Sequence, residues 1–126
     1  MPTVTIHGRT WKVELARTGD EQYQGLSDRA AVPEGTGMLF VYEEPKVLEF
    51  CMRKCLVSLD IAFLDAHGKV VRTYTMPVEP YDRWRATYPS IDRAQYALEV
   101  AAGELGKAGV KVGDVAQFSG MPGPGK

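Results

Sequence analysis

The run LVSLDIAFLDAHGKVVRTYTM, Leu56 to Met76, constrains the fold more than any other stretch. Read as a strand, it puts Leu59, Ile61 and Phe63 on one face and Asp60, Ala62 and Leu64 on the other. Both faces are apolar except at Asp60, so this strand has to be covered on two sides. The segment DAHG supplies a turn at Gly68, and KVVRTYTM returns as a partner strand. Asp60 is therefore an aspartate at a covered position. A buried carboxylate without donors or a cation is costly, so it needs partners.

The same pattern recurs along the chain. TVTIH and TWKVELA alternate apolar and polar residues around Gly8, a hairpin signature. GMLFVY (37–42) reads as a buried strand, Pro45 as a break and KVLEFCM as a further strand. AQYALEV and the end of GVKVGDVAQFS add two more, and AGELGKAG fits one or two helical turns. The region 77–92 carries three prolines and reads as irregular. One good helix is expected at about 19–31. Thr18 and Glu21 match a capping box, Asp20 suits the first turn, and Tyr23, Leu26 and Ala30 share a face. Pro33 ends it, and Gly25 costs the helix roughly 1 kcal/mol relative to Ala. A close neighbour leaving no room for a Cβ would account for that glycine.

The expected fold class is α+β, mostly β: a curled antiparallel sheet or small barrel of seven to eight strands with one main helix. One domain spans 1–118, followed by a Gly/Pro tail, SGMPGPGK (119–126), that reads as disordered. Fifteen Lys and Arg balance sixteen Asp and Glu, so the formal net charge is −1. That balance argues against a nucleic-acid partner. No apolar run approaches the ~20 residues of a membrane span. The N-terminus shows no basic-then-apolar leader, so the chain as it stands reads as cytoplasmic, or as exported if a leader has been removed.

Cys51 and Cys55 invite a redox or metal reading. Four residues of extended chain cover roughly 13 Å, whereas a disulfide needs Cα atoms within ~7 Å. A turn at Arg53-Lys54 would bring them closer. Packing is the preferred reading, with a thiol redox pair as an alternative that the neighbouring cations support. A metal centre needs three or four ligands. The two histidines, His7 and His67, fall at separate turns with no ligand spacing, so neither metal nor cofactor is expected.

Glu99 in YALEV resembles Asp60, a carboxylate inside an apolar strand. The charged residues Glu14, Arg29, Lys54, Asp60 and Glu99 are candidates to converge at one end of the barrel. A structural salt-bridge network and a ligand-pocket floor are both open for them. The loop EPYDRWRATYPSIDR sets Tyr81, Trp84 and Tyr88 among arginines, a composition suited to small-molecule or protein contact. No GxSxG motif and no Gly-rich phosphate loop accompany these groups.

The ordered pieces ELARTGDEQYQGLSDR, GMLFVY, FCMRKCLVSLDIAFLDAHGKVV and YALEVAAGELGKAGVKVGD resemble the prokaryotic domain-of-unknown-function family 192 over roughly Lys12 to Val115. The resemblance implies a compact β-rich domain with a helix and supplies no reaction; some members look exported. The family's central pattern is Trp-Met-Lys-Asn-Thr, two residues, then Pro-Leu-Asp. Met52, Leu59 and Asp60 match it, and Arg53 is conservative. Cys51 stands for the tryptophan, Lys54 for the asparagine, Cys55 for the threonine and Ser58 for the proline. The helix matches at Gly25, Leu26 and Arg29, with Ser27 where methionine is usual. The resemblance thus points to Asp60, then Arg29 and Glu99. It makes the thiols departures, and the missing tryptophan changes any pocket there.

The leading expectation is a non-catalytic binding or accessory module for a small ligand or a protein partner. It would use Asp60, Arg29, Glu99 and Lys54, with Trp84 and Tyr88 from the loop. The alternative is a small hydrolase or lyase with Asp60 and Glu99 as acid and base and Lys54 or Arg29 as anion stabiliser. Such a pair has to share one cleft at roughly 5–10 Å. The second alternative is a redox protein using Cys51 and Cys55.

Overall fold

In the computed structural model, which describes residues 1–122, Leu59–Leu64 is a strand with every residue buried. The strands are β1 (Thr3–Ile6), β2 (Arg9–Ala16), β3 (Thr36–Lys46), β4 (Glu49–Cys51), β5 (Leu59–Leu64), β6 (Val70–Met76), β7 (Thr87–Pro89), β8 (Ala94–Ala101) and β9 (Gln117–Ser119). The helices are α1 (Gly19–Gln24) and α2 (Glu104–Ala108). Seven strands form one curled sheet in the order β6-β5-β8-β3-β2-β1-β9, while β4 and β7 form a separate two-stranded arm. The mostly β class read from the sequence is the one observed.

The sheet is antiparallel except between β2 and β3, which run parallel. A parallel pair needs a crossover, and the segment carrying α1 supplies it. The β1–β2 hairpin turns at His7 and Gly8, both at positive φ, as a tight two-residue turn requires. The first and last strands in the order approach each other. Val70 N–H donates to the Asp114 carbonyl, and Ala116 N–H donates to the Gly68 carbonyl, both at 2.8 Å. These bonds join the start of β6 to the chain entering β9.

The sheet's two faces carry two separate apolar cores. Phe40, Leu59, Ile61, Phe63, Met76 and Ala97 pack on one face, under Leu26 and the β4–β7 arm. Trp11, Val13, Leu39, Ala62, Leu98 and Val100 pack on the other, under Leu105 of α2. The strand with two apolar faces is thus explained by two covers.

The main helix is shorter than the sequence suggests. The capping box at Thr18 and Glu21 is formed, but α1 stops at Gln24 instead of running to residue 31. Gly25 takes φ 48°, ψ −132°, outside the helical region. A Cβ there would lie 3.3 Å from the Phe40 ring, so the close neighbour expected at this glycine is real. It ends the helix instead of sitting within it. Tyr23 is exposed at 71%, so the expected Tyr23–Leu26–Ala30 face does not form. The irregular stretch 77–92 contains a short strand, β7. Of the tail expected at 119–126, Ser119 belongs to β9, and residues from 123 onward lie outside the described residues. Among the described residues no helix is long and apolar enough to cross a membrane.

Candidate functional site

Asp60 and Glu99 lie on neighbouring strands but on opposite faces. In the β5–β8 ladder Asp60 faces Val100, and Ile61 faces Glu99. Directly paired residues share a face and successive residues alternate, so the two carboxyls point away from each other.

Asp60 is 2% exposed and fully engaged. One carboxylate oxygen accepts from the Thr75 hydroxyl at 2.8 Å. The other accepts from the backbone N–H groups of Gly103 at 2.9 Å and Leu105 at 3.1 Å. These two amides belong to the entry of α2, whose first N–H groups have no partner within the helix. Gly103, at φ 93°, makes the bend that aims them. Asp60 therefore pins α2 to the sheet.

Glu99 has the opposite environment. It is 4% exposed, yet its carboxyl makes no hydrogen bond or ion pair among the described residues. Burial pushes it up to about 8. It reaches a cavity of about 290 Å³ between the sheet and the α1 segment. Phe40 and Tyr42 of β3 and Phe50 of β4 supply aromatic walls, and Trp84 reaches in from the loop before β7. Cys51, Cys55, Glu49, Arg53 and residues 22–27 complete the lining.

The placement of Glu99 is set by a close approach of β3 and β8. A Cβ on Gly37 would lie 2.3 Å from the Glu99 carbonyl oxygen. The roof is tied down by its own bonds. Gln22 Nε2 donates to the carbonyls of Val41 at 2.9 Å and Ala16 at 3.2 Å. Ser27 Oγ donates to the Arg53 carbonyl at 2.6 Å, and Arg53 Nη2 donates to the Tyr23 carbonyl at 2.9 Å. Arg53 also lies 3.9 Å from the Tyr23 ring centroid. The cavity's one lining cation is thus committed to its rim.

Two neighbours of Glu99 are perturbed. Burial, then the charge of Glu99, raises the Tyr42 phenol to about 12. Burial, then Glu99 and Cys51, raises the Cys55 thiol to about 11. The turn at Arg53-Lys54 is present: Cys55 N–H donates to the Met52 carbonyl at 3.2 Å, and Lys54 has φ 55°. It brings both cysteines to one cavity as free thiols.

The remaining predicted residues lie elsewhere. Arg29 and Glu14 form a bidentate pair at 2.8 and 3.0 Å on the half-exposed surface. Lys54 stands over the Tyr81 ring at 5.5 Å. Tyr88 packs on Tyr74 with ring centroids 5.3 Å apart. The five charged residues named as candidates to converge therefore do not meet. Of the six predicted site residues, Glu99 and Trp84 line the cavity. Sequence reasoning missed Tyr42, Phe40 and Phe50 as walls. Among the described residues no group of three or more His, Cys, Asp or Glu side chains is arranged to hold a metal ion.

The fold and site define a small, mostly β domain with a short helix lying over a cavity floored by one carboxyl. The chain belongs to DUF192, described as "Uncharacterized ACR", whose profile matches residues 2–118. A protein of unknown function from Novosphingobium aromaticivorans DSM 12444 is similar at 30% identity, with a TM-score of 0.82, covering 91% of this chain and 83% of that one. A candidate transcription regulator from Sinorhizobium meliloti 1021 is similar at 28% identity, with a TM-score of 0.84, covering 96% of each chain. No curated protein matches the chain.

Proposed function

We propose that this domain is a non-catalytic binding module that holds a small molecule in the cavity over Glu99. The observation that carries this reading is a carboxyl set in an apolar strand, making no hydrogen bond among the described residues and facing a cavity with aromatic walls. Buried polar groups in folded proteins are nearly always hydrogen-bonded. A position serving packing alone would be apolar or paired, as Asp60 is. Apolar walls with a few polar groups are the usual make-up of a ligand site, and the volume suits a small ligand.

Catalysis fits less well. Asp60 and Glu99 share no cleft, so they cannot act as an acid–base pair on one substrate. The Cys55 thiol is pushed away from its reactive thiolate form, which also weakens the redox reading. The regulator designation of the Sinorhizobium protein would call for a nucleic-acid surface, and the balanced charge of this chain gives that reading no support.

The test is fragment binding followed by amide and side-chain NMR. Bound fragments are expected to shift resonances of Phe40, Tyr42, Phe50 and Trp84 together. A Cys51→Trp variant places an indole where the family pattern has tryptophan, and is expected to fill the cavity and abolish those shifts. Fragments that bind the variant unchanged, or perturb only other surfaces, would overturn the proposal.

A further inference from the structure

We propose that the cavity takes a small organic cation, a primary or secondary ammonium on a compact apolar body, with the ammonium set against Glu99. This rests on the binding reading above and names its ligand class. The charged residues of the lining are Glu49, Glu99 and Arg53, and Arg53 is held at the rim by the Tyr23 ring and carbonyl. An anion would therefore meet the Glu49 carboxylate and the Glu99 carboxyl and no free cation. Among donors, an ammonium offers three N–H groups and a charge to a carboxylate that accepts only. Phe40, Tyr42, Phe50 and Trp84 also line the cavity, and aromatic rings suit a cation because their quadrupoles attract positive charge.

The proton balance follows from the groups that share the cavity. Tyr42 on β3 and Cys55 after the Arg53-Lys54 turn both hold their protons at neutral pH. Tyr23 of α1, Cys51 and Glu49 of β4 and Arg53 of the turn complete the titratable lining. Glu99 is also protonated at pH 7 in the empty protein. Binding an ammonium ionises it: the carboxyl proton passes to solvent, and the carboxylate accepts from the ammonium. One proton is released for each cation bound, so affinity rises with pH up to about pH 8.

The experiment uses 2-phenylethylamine, 2-phenylethanol and 3-phenylpropionate as matched probes, read by calorimetry and NMR. The amine is expected to bind at least about tenfold more tightly than the alcohol, and the acid not at all. Amine affinity is expected to rise about tenfold from pH 6 to pH 7. Heats measured in phosphate and in Tris are expected to differ by about one proton's worth of buffer ionisation. Glu99→Gln is expected to remove the amine's advantage over the alcohol and its pH dependence. Equal binding of amine and alcohol, or preference for the acid, with shifts still centred on the cavity, overturns the ligand class and leaves the binding reading standing. No perturbation of the cavity by any of the three overturns both.

Discussion

Replacing Glu99 by Gln is expected to make this protein more stable at neutral and alkaline pH, by an amount that grows as pH rises from about 5 to 8, and slightly less stable at pH 4. The folded carboxyl is raised from 4.5 to about 8 by burial. The folded state therefore holds a proton that the unfolded chain releases. Stability contributed by that proton is complete below pH 4.5 and is lost as pH rises towards 8. Each pH unit in this window costs about 1.4 kcal/mol. At pH 7 the loss reaches about 3 kcal/mol, and above pH 8 it levels near 5 kcal/mol. A domain of this size has a total stability of about 5–15 kcal/mol, so the effect is large. Glutamine does not titrate, so Glu99→Gln escapes the loss. Its amide, unpartnered in the cavity, adds a penalty of about 1–2 kcal/mol that does not change with pH. Urea unfolding of both proteins at pH 4, 5.5, 7 and 8.5 measures the difference directly. Other titrating groups cancel between the two, including Glu14, which Arg29 holds low. A stability difference that stays flat across that range would refute the argument, because Glu99 would then be solvated or paired.

Three further outcomes follow from the geometry. Asp60→Ala is expected to cost about 3–5 kcal/mol in chemical denaturation, because it strands the Gly103 and Leu105 amides, while Asp60→Asn costs less and leaves binding in the cavity unchanged; binding lost with Asp60→Asn would mean that the faces communicate. Gly37→Ala is expected to destabilise by at least about 3 kcal/mol, since its Cβ would meet the Glu99 carbonyl oxygen at 2.3 Å; a melting temperature unchanged by the substitution would show that β3 and β8 separate freely. Iodoacetamide at pH 8 is expected to label Cys51 well before Cys55, whose thiol is raised to about 11 and is ionised in about one molecule in a thousand; equal rates on peptide mapping would contradict the buried placement of Cys55.

Strand positions were legible because alternation and glycine turns are local signals. The two apolar faces of 59–64, the hairpin at Gly68 and the capping box at Thr18 all stand where the sequence puts them. The helix end was misread because Gly25 acts through a tertiary neighbour, the Phe40 ring, which no local pattern reveals. The site was half legible for a similar reason. Glu99 and Asp60 look alike in sequence, each a carboxylate inside an apolar strand. Their separation depends on the β5–β8 register, and a shift of one residue exchanges the faces. Trp84 was visible as an aromatic in a long loop. The walls Phe40, Tyr42 and Phe50 look like ordinary core residues until the roof above them is known to be short.

The difference between the two carboxyls comes from what covers each face. On the Asp60 face, α2 follows β8 after a single bend at Gly103, so its first amides arrive where an acceptor waits. The cover follows directly on β8, the strand paired with the one that carries its anchor, and the face closes. On the Glu99 face, α1 arrives from the β2–β3 crossover, has six residues, and buries none of them. The segment is held by polar bonds from Gln22 and Ser27 and by the buried apolar side chain of Leu26. The arm then contributes Cys51, a small side chain at the position where the resembling pattern carries tryptophan. A short roof and a small residue together leave the cavity open. The fold accounts for the short roof, whereas the residue at 51 accounts for the room beneath it. Cavity volume should therefore follow the side chain at position 51 among chains of this fold, while the Asp60–α2 contact does not depend on it.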